Sequence, residues 1–346
     1  SWLAKSEALW EQFSDRSHGT SGKNRIKPRQ ILNATIPLPS VVEQARLVAK
    51  IEAAAETHAS LLARIELAAT DAALLRQRIL DDAVRGRLVP QDPEDEPASV
   101  LLERIAAEKQ RLVKAGTIRR AKKLPPVSAE EQPYDLPPGW AWIRLGDITQ
   151  YTEAGWSPRC IKEPAAPDEW GVLRTTAVQT LRFQPDENKR LPSTFTPRPE
   201  YEVESGDLLI TRAGPKARVG IACSVSNTRQ RLMLSDKIIR CKLLDRIATS
   251  DYVAMALSSG ASRLFIDNAK SGMAESQMNI SQKNLKLTPI PLPPVETQHR
   301  LVRHVEQVLR LSDTLEARLE AARADAEALM QAVLREAFAG MASAAS

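Results

Sequence analysis

Ten residues, Thr211-Arg212-Ala213-Gly214-Pro215-Lys216-Ala217-Arg218-Val219-Gly220, place three cations on a segment bent by glycine and proline between two apolar runs. Cations so displayed suit phosphates and guanine edges, because one arginine can donate two hydrogen bonds to a guanine. A second segment, residues 270–279, holds Lys270, Gln277 and Asn279, and amide side chains pair with adenine in the same two-pronged way. Residues 208–242 carry eight basic side chains against one acid, Asp236. Arg174, Thr175 and Lys237 stand at the ends of short apolar runs. The candidate DNA contacts are therefore Arg174, Thr175, Arg212, Lys216, Arg218, Lys237, Lys270, Gln277 and Asn279. A merely solubilising hairpin would have the same loop composition.

Other chemistry finds no support in the residues. A transferase acting on base amino groups needs an Asn/Asp-Pro-Pro-aromatic loop, and Asp135-Leu136-Pro137-Pro138-Gly139-Trp140 has the wrong spacing. No Gly-rich cofactor loop follows a strand, so no cofactor is expected on this chain. The four histidines, His18, His58, His299 and His304, form no metal-ligand pair. Cys160, Cys223 and Cys241 are odd in number and lack CxxC spacing, so neither a disulfide framework nor a zinc site is indicated and a reducing cytoplasm fits best. No apolar run is long enough to span a membrane. The net charge of +5 on 346 residues is too small to identify a polyanionic partner, so the distribution of charge matters more than its sum.

The elements that must position these loops are legible from an internal repeat. Ile36-Pro37-Leu38-Pro39-Ser40-Val41 recurs as Ile290-Pro291-Leu292-Pro293-Pro294-Val295, and the offset of 254 holds to Gly86 and Gly340 with 22 identities in 51 positions. Each copy predicts one long helix, entered through proline and stopped at Gly86 or Gly340. Ile51, Ala54, His58, Leu61, Ile65, Ala68, Ala72, Leu75 and Ile79 predict a coiled-coil seam. Val305, Val308, Ser312, Leu315, Leu319, Ala322, Ala326, Leu329 and Val333 repeat it. His58 and Ser312 occupy equivalent seam positions and read as register devices. At ~1.5 Å per residue each helix would reach ~65 Å, enough for a spacer. Between them, a shorter helix is predicted near residues 99–115, a basic linker at 119–126, and strands at 140–145, 171–174, 207–212, 220–225 and 237–243. A helix is predicted over 252–267. The expected class is α+β: a mixed α/β domain plus a long antiparallel two-helix coiled coil.

Five pieces in order carry a resemblance. They are Leu136-Pro137-Pro138-Gly139-Trp140-Ala141-Trp142-Ile143-Arg144-Leu145-Gly146-Asp147, Ser205-Gly206-Asp207-Leu208-Leu209-Ile210, Leu234-Ser235-Asp236-Lys237-Ile238-Ile239-Arg240, Asn279-Ile280-Ser281, and the repeated Pro-Leu-Pro lead into each helix. Together the sequence resembles the specificity subunit of Type I restriction-modification systems. The resemblance implies a non-catalytic, cytoplasmic subunit that reads double-stranded DNA and docks methyltransferase and restriction subunits, with S-adenosylmethionine held by the methyltransferase. It also implies two recognition domains per subunit. Here residues 134–287 make one complete domain, and 1–33 look like the C-terminal end of another, Asn24-Arg25-Ile26 aligning with Met278-Asn279-Ile280. Residues 34–133 and 288–346 are the helical spacer regions. The other domain is expected either to be truncated here or to come from another polypeptide, for instance by self-association through the helices. The rival reading is a coiled-coil scaffold whose central domain binds protein.

Overall fold

The computed structural model describes residues 31–32, 38–118, 122–244 and 247–343, for 338–343 as backbone only. The proposed remnant 1–33 lies outside the described residues save Ile31 and Leu32, as do Arg119, Arg120 and Ala121 of the basic linker. In chain order come α1 (Val41–Val84), α2 (Ala98–Lys114), β1 (Ala141–Arg144), β2 (Thr149–Ala154), β3 (Gly171–Leu173), β4 (Val178–Gln179), β5 (Arg182–Phe183) and β6 (Asn188–Arg190). There follow β7 (Leu208–Thr211), β8 (Ala213–Gly214), β9 (Ala222–Ser224), β10 (Leu232–Met233), β11 (Ile238–Leu243), α3 (Ser250–Leu257) and α4 (Gly260–Ala269). The chain closes with β12 (Met278–Asn279), α5 (Gln282–Lys286), β13 (Pro289–Leu292) and α6 (Val295–Ser343). The expected helix over 252–267 is thus two helices, because Gly260 takes φ 56° and breaks the turn.

Two compact units form, Ser1–Leu75 with Arg310–Ser346, and Arg76–Leu309. In the first, Ile51 near the start of α1 packs on Leu334 and Ala337 near the end of α6, and Lys50 Nζ lies 2.9 Å from Glu336. The helices therefore run antiparallel, as the repeat predicts. The seam differs in detail. Leu61, Leu75, Leu315 and Leu329 are exposed, and Leu62 and Met330 turn inward instead of Leu61 and Leu329. Steps of three-then-four and four-then-three both complete a heptad, so two adjacent apolar residues leave the choice to packing. Gly86 does stop α1: its φ is +70°, and Arg87 N–H donates to Asp82 O at 2.9 Å, the 6→1 bond of a glycine cap. Gly340 does not stop α6, which continues to Ser343. After Gly86 the chain turns inward and Leu88 and Val89 pack on the core, whereas Met341-Ala342-Ser343 carries on as helix.

The larger unit is built on a four-stranded antiparallel sheet in the order β2-β11-β7-β9. Leu208, Ile210, Ile239 and Cys241 face one core, with Tyr252 and the ends of α1 and α6, while Leu209, Ile238 and Cys223 face another. A strand buried on both sides reads as an unbroken apolar run, which is why Leu208-Leu209-Ile210 lacks alternation. Cys223 and Cys241 are buried core residues, and burial pushes both thiols up to about 12. The acidic, proline-containing turn Pro90-Gln91-Asp92-Pro93-Glu94-Asp95-Glu96-Pro97 before α2 has a structural partner: Asp95 is bonded by Arg300 and Thr297 on the first turns of α6, and the Arg300 guanidinium holds its carboxyl below the usual range.

Candidate nucleic-acid interface

The two loops singled out in the sequence are joined by backbone. β8 pairs antiparallel with β12, Met278 opposite Gly214 and Asn279 opposite Ala213. Arg212 N–H donates to Lys237 O at 2.7 Å, and Arg212 O accepts from Ile280 N–H at 3.0 Å. Three segments distant in sequence thereby meet around Arg212. Lys216 is tied to the second loop twice, by N–H to Glu275 O at 2.7 Å and by Nζ to the Glu275 carboxylate at 2.8 Å. That bond raises the Lys216 ammonium pKa and lowers that of the Glu275 carboxyl. The second loop closes on itself through reciprocal Ser271 and Asn279 backbone bonds of 2.9 and 2.8 Å. Gly272 is required there, since a Cβ would overlap Gln277 O.

Arg212, Lys216, Lys237, Gln277 and Asn279 thus belong to one stapled set. Lys216, Lys237, Gln277 and Asn279 are exposed, Arg212 is half-buried, and neither Arg212 nor Lys237 has a side-chain hydrogen bond or ion pair among the described residues. Asp236, the lone acid of the basic run, accepts from Ser157 Oγ at its carboxylate and donates its own N–H back to that oxygen at 3.1 Å, which clamps the turn carrying Lys237.

The remaining expected contacts are placed differently. Lys270 is a buried staple with its side chain 2% exposed, its Nζ on Asp267 and on Lys216 O at 2.9 Å. Arg218 points into the fold, donating to Gln179 Oε1 (2.9 Å), Thr175 O (2.6 Å) and Val178 O (2.7 Å), and burial lowers its pKa. Arg174 donates to Lys162 O, and Thr175 opens a short turn whose carbonyl Arg218 holds. These three gather at a structural knot. The sequence count of cations misleads for the same reason. Arg229, Arg231, Arg240 and Lys242 bind carbonyls or carboxylates of their own domain, so Arg212, Lys216 and Lys237 are what the run presents outward. Glu275 was missed altogether, because no spacing in the sequence signals a partner 59 residues away.

Replacing Arg218 by alanine should lower stability by about 1–3 kcal/mol, since buried carbonyls lose their donor, while leaving the salt dependence of DNA binding unchanged. Thermal melts beside a salt titration separate the two roles. A salt slope smaller by about one unit would return Arg218 to the phosphate contacts.

The profile of the Type I restriction modification DNA specificity domain matches residues 137–322, more than half of the chain and the whole of the stapled set. The chain belongs to this family. Among curated relatives, this specificity domain chain is 51% identical over 250 residues to the Type I restriction enzyme EcoEI specificity subunit of Escherichia coli, covering 72% of this chain and 42% of the relative. It is 32% identical over 262 residues to the EcoAI specificity subunit of Escherichia coli, with coverage of 72% and 42%. To the EcoKI specificity subunit of Escherichia coli strain K12 it is 26% identical, with 98% of this chain and 64% of the relative covered. The chain thus spans less than half the length of the first two. A chain in a solved structure concerned with complex assembly and conformational transition of the type I R-M system has the same fold, with a TM-score of 0.63, 21% identity, and coverage of 97% of this chain and 69% of that one. Among the described residues no group of three or more His, Cys, Asp or Glu could hold a metal, and no helix is long and apolar enough to cross a membrane.

Proposed function

We propose that this specificity domain reads base sequence in double-stranded DNA and catalyses no reaction itself. The observation that carries the reading is the stapled set: two cations without side-chain partners among the described residues, a third whose ammonium is held by Glu275, and two exposed amides, gathered by the β8–β12 pair where the central strands β7 and β11 end and begin. Cations position a duplex through its phosphates, and amides and arginine read base edges. The antiparallel helices supply the frame on which methyltransferase subunits, carrying S-adenosylmethionine, and a restriction subunit assemble. Reading and chemistry are then divided between chains.

Selecting bound duplexes from a random pool, with light scattering on the same sample, tests this. Enrichment of a fixed motif is the expected result, together with no methyl transfer by the purified chain. One short motif bound by a monomer corresponds to half of a bipartite reader. An inverted repeat bound by a dimer corresponds to self-association through the helices. If no sequence is enriched, the domain is a protein-binding scaffold.

A further inference from the structure

On the larger unit, away from the stapled set, a trough of about 1220 Å³ runs between α2 and the segment 122–127, with β1 at its base. Its apolar lining includes Ile105, Ala106, Val113, Ile118, Leu124 and Trp142. It follows α2 from Leu102 to Lys114, about 18 Å of helix. This exceeds the ~300–1,000 Å³ usual for a small-molecule site. The far wall is anchored by Arg144, 4% exposed, which donates to Pro125 O (3.1 Å), Pro126 O (2.9 Å), Leu287 O (2.6 Å) and both carboxylate oxygens of Glu131. The Arg144 guanidinium holds the Glu131 carboxyl down at about 2. The trough is therefore preformed.

Its charge is one-sided. Lys109, Lys114, Lys122, Lys123 and Lys286 line it, and none has an ion pair among the described residues. Lys109 is mostly buried, its Nζ bonded to Gly146 O at 2.7 Å, and burial lowers its pKa although Asp147 opposes the shift. Asp147, the one acid of the lining, already accepts from Arg144 N–H at 3.0 Å. We propose that this trough docks an acidic amphipathic segment of another subunit of the complex, its apolar face on Ala106, Val113 and Trp142 and its carboxylates on the lysines. The proposal rests on the assembly reading above. A phosphodiester backbone would satisfy the lysines but gains nothing from an apolar floor, whereas an amphipathic helix uses both.

The test reconstitutes the full chain with its methyltransferase and restriction subunits and applies a zero-length carbodiimide, which joins lysine amines to carboxylates they touch. Lys114, Lys122 and Lys123 should link to Asp or Glu within one segment of one subunit. The charge reversal K114E/K122E/K123E and the floor-filling Ala106→Trp should each weaken that subunit's binding at least tenfold, with the selected DNA motif unchanged. All four positions are exposed, so folding should survive. Normal subunit binding by both variants, or protection of these lysines by DNA alone, overturns the dock and leaves the DNA-reading function standing. Failure of the wild-type chain to bind any subunit overturns the assembly reading and the dock with it.

Discussion

Alanine at Arg212, Lys216 and Lys237 together is expected to lower DNA affinity roughly 10²–10³-fold at physiological salt and to reduce the salt slope by about two units. Each neutralised phosphate contributes about 0.9 to that slope, and three cations would naively give nearly three. Lys216 already faces Glu275 at 2.8 Å, so part of its counterion release is spent inside the protein. Arg212 and Lys237 have no such partner among the described residues and should contribute fully. The same logic predicts a gain. Glu275→Gln removes an anion from the face and frees Lys216, so affinity should rise about fivefold and the slope steepen by about 0.9. Filter binding at four salt concentrations measures both. Weaker binding by Glu275→Gln would show that Lys216 needs its carboxylate for positioning more than its charge for DNA.

Arg240→Met is expected to destabilise the larger unit by about 3–5 kcal/mol, a fall of roughly 10 °C in Tm. Arg240 is 5% exposed and bridges Glu153 on β2 to Asp207 before β7, with Glu202 O at 2.6 Å and Glu200 O at 2.8 Å. Asp207 is fully buried, and without Arg240 it keeps only Glu204 N–H at 3.0 Å and Lys242 Nζ at 3.4 Å. A buried charge stripped of its partner costs more than the pair was worth. Adding Asp207→Asn should therefore recover a large part of the loss, and a denaturant double-mutant cycle reads the coupling. Independent, additive losses would mean that Glu204 N–H and Lys242 suffice to stabilise the carboxylate without Arg240.

These two cases mark what the sequence could and could not disclose. Helix ends, the antiparallel pair and most strands follow from local signals: a repeated Pro-Leu-Pro, glycine at position 86, apolar runs between turns. Leu61 against Leu62 was undecidable locally because both are apolar and either step closes a heptad. Side-chain roles were harder. Arg212 and Arg240 look alike in the string, each following a short apolar run, yet the side chain of one has no partner among the described residues and the other meets Glu153 from 87 residues away. Lys270 sits in a polar loop and is nevertheless buried, because Asp267 and Lys216 O converge on it from outside the loop. Charge counts sum such residues without regard to where their partners come from.

The pairing of β1 with β13 sets Ala141 opposite Leu292 and Arg144 opposite Pro289, and Leu145 N–H adds a 2.9 Å bond to Thr288 O. The polypeptide enters and leaves the recognition fold through adjacent strands. A segment whose two ends meet can be exchanged whole without lengthening or twisting what lies on either side. A double crossover, at Trp140 and at Pro293, between two such genes would hand the entire loop set of one to the helices of the other. If the stapled set reads DNA as proposed, its preference would be exchangeable as a cassette on an otherwise unchanged scaffold.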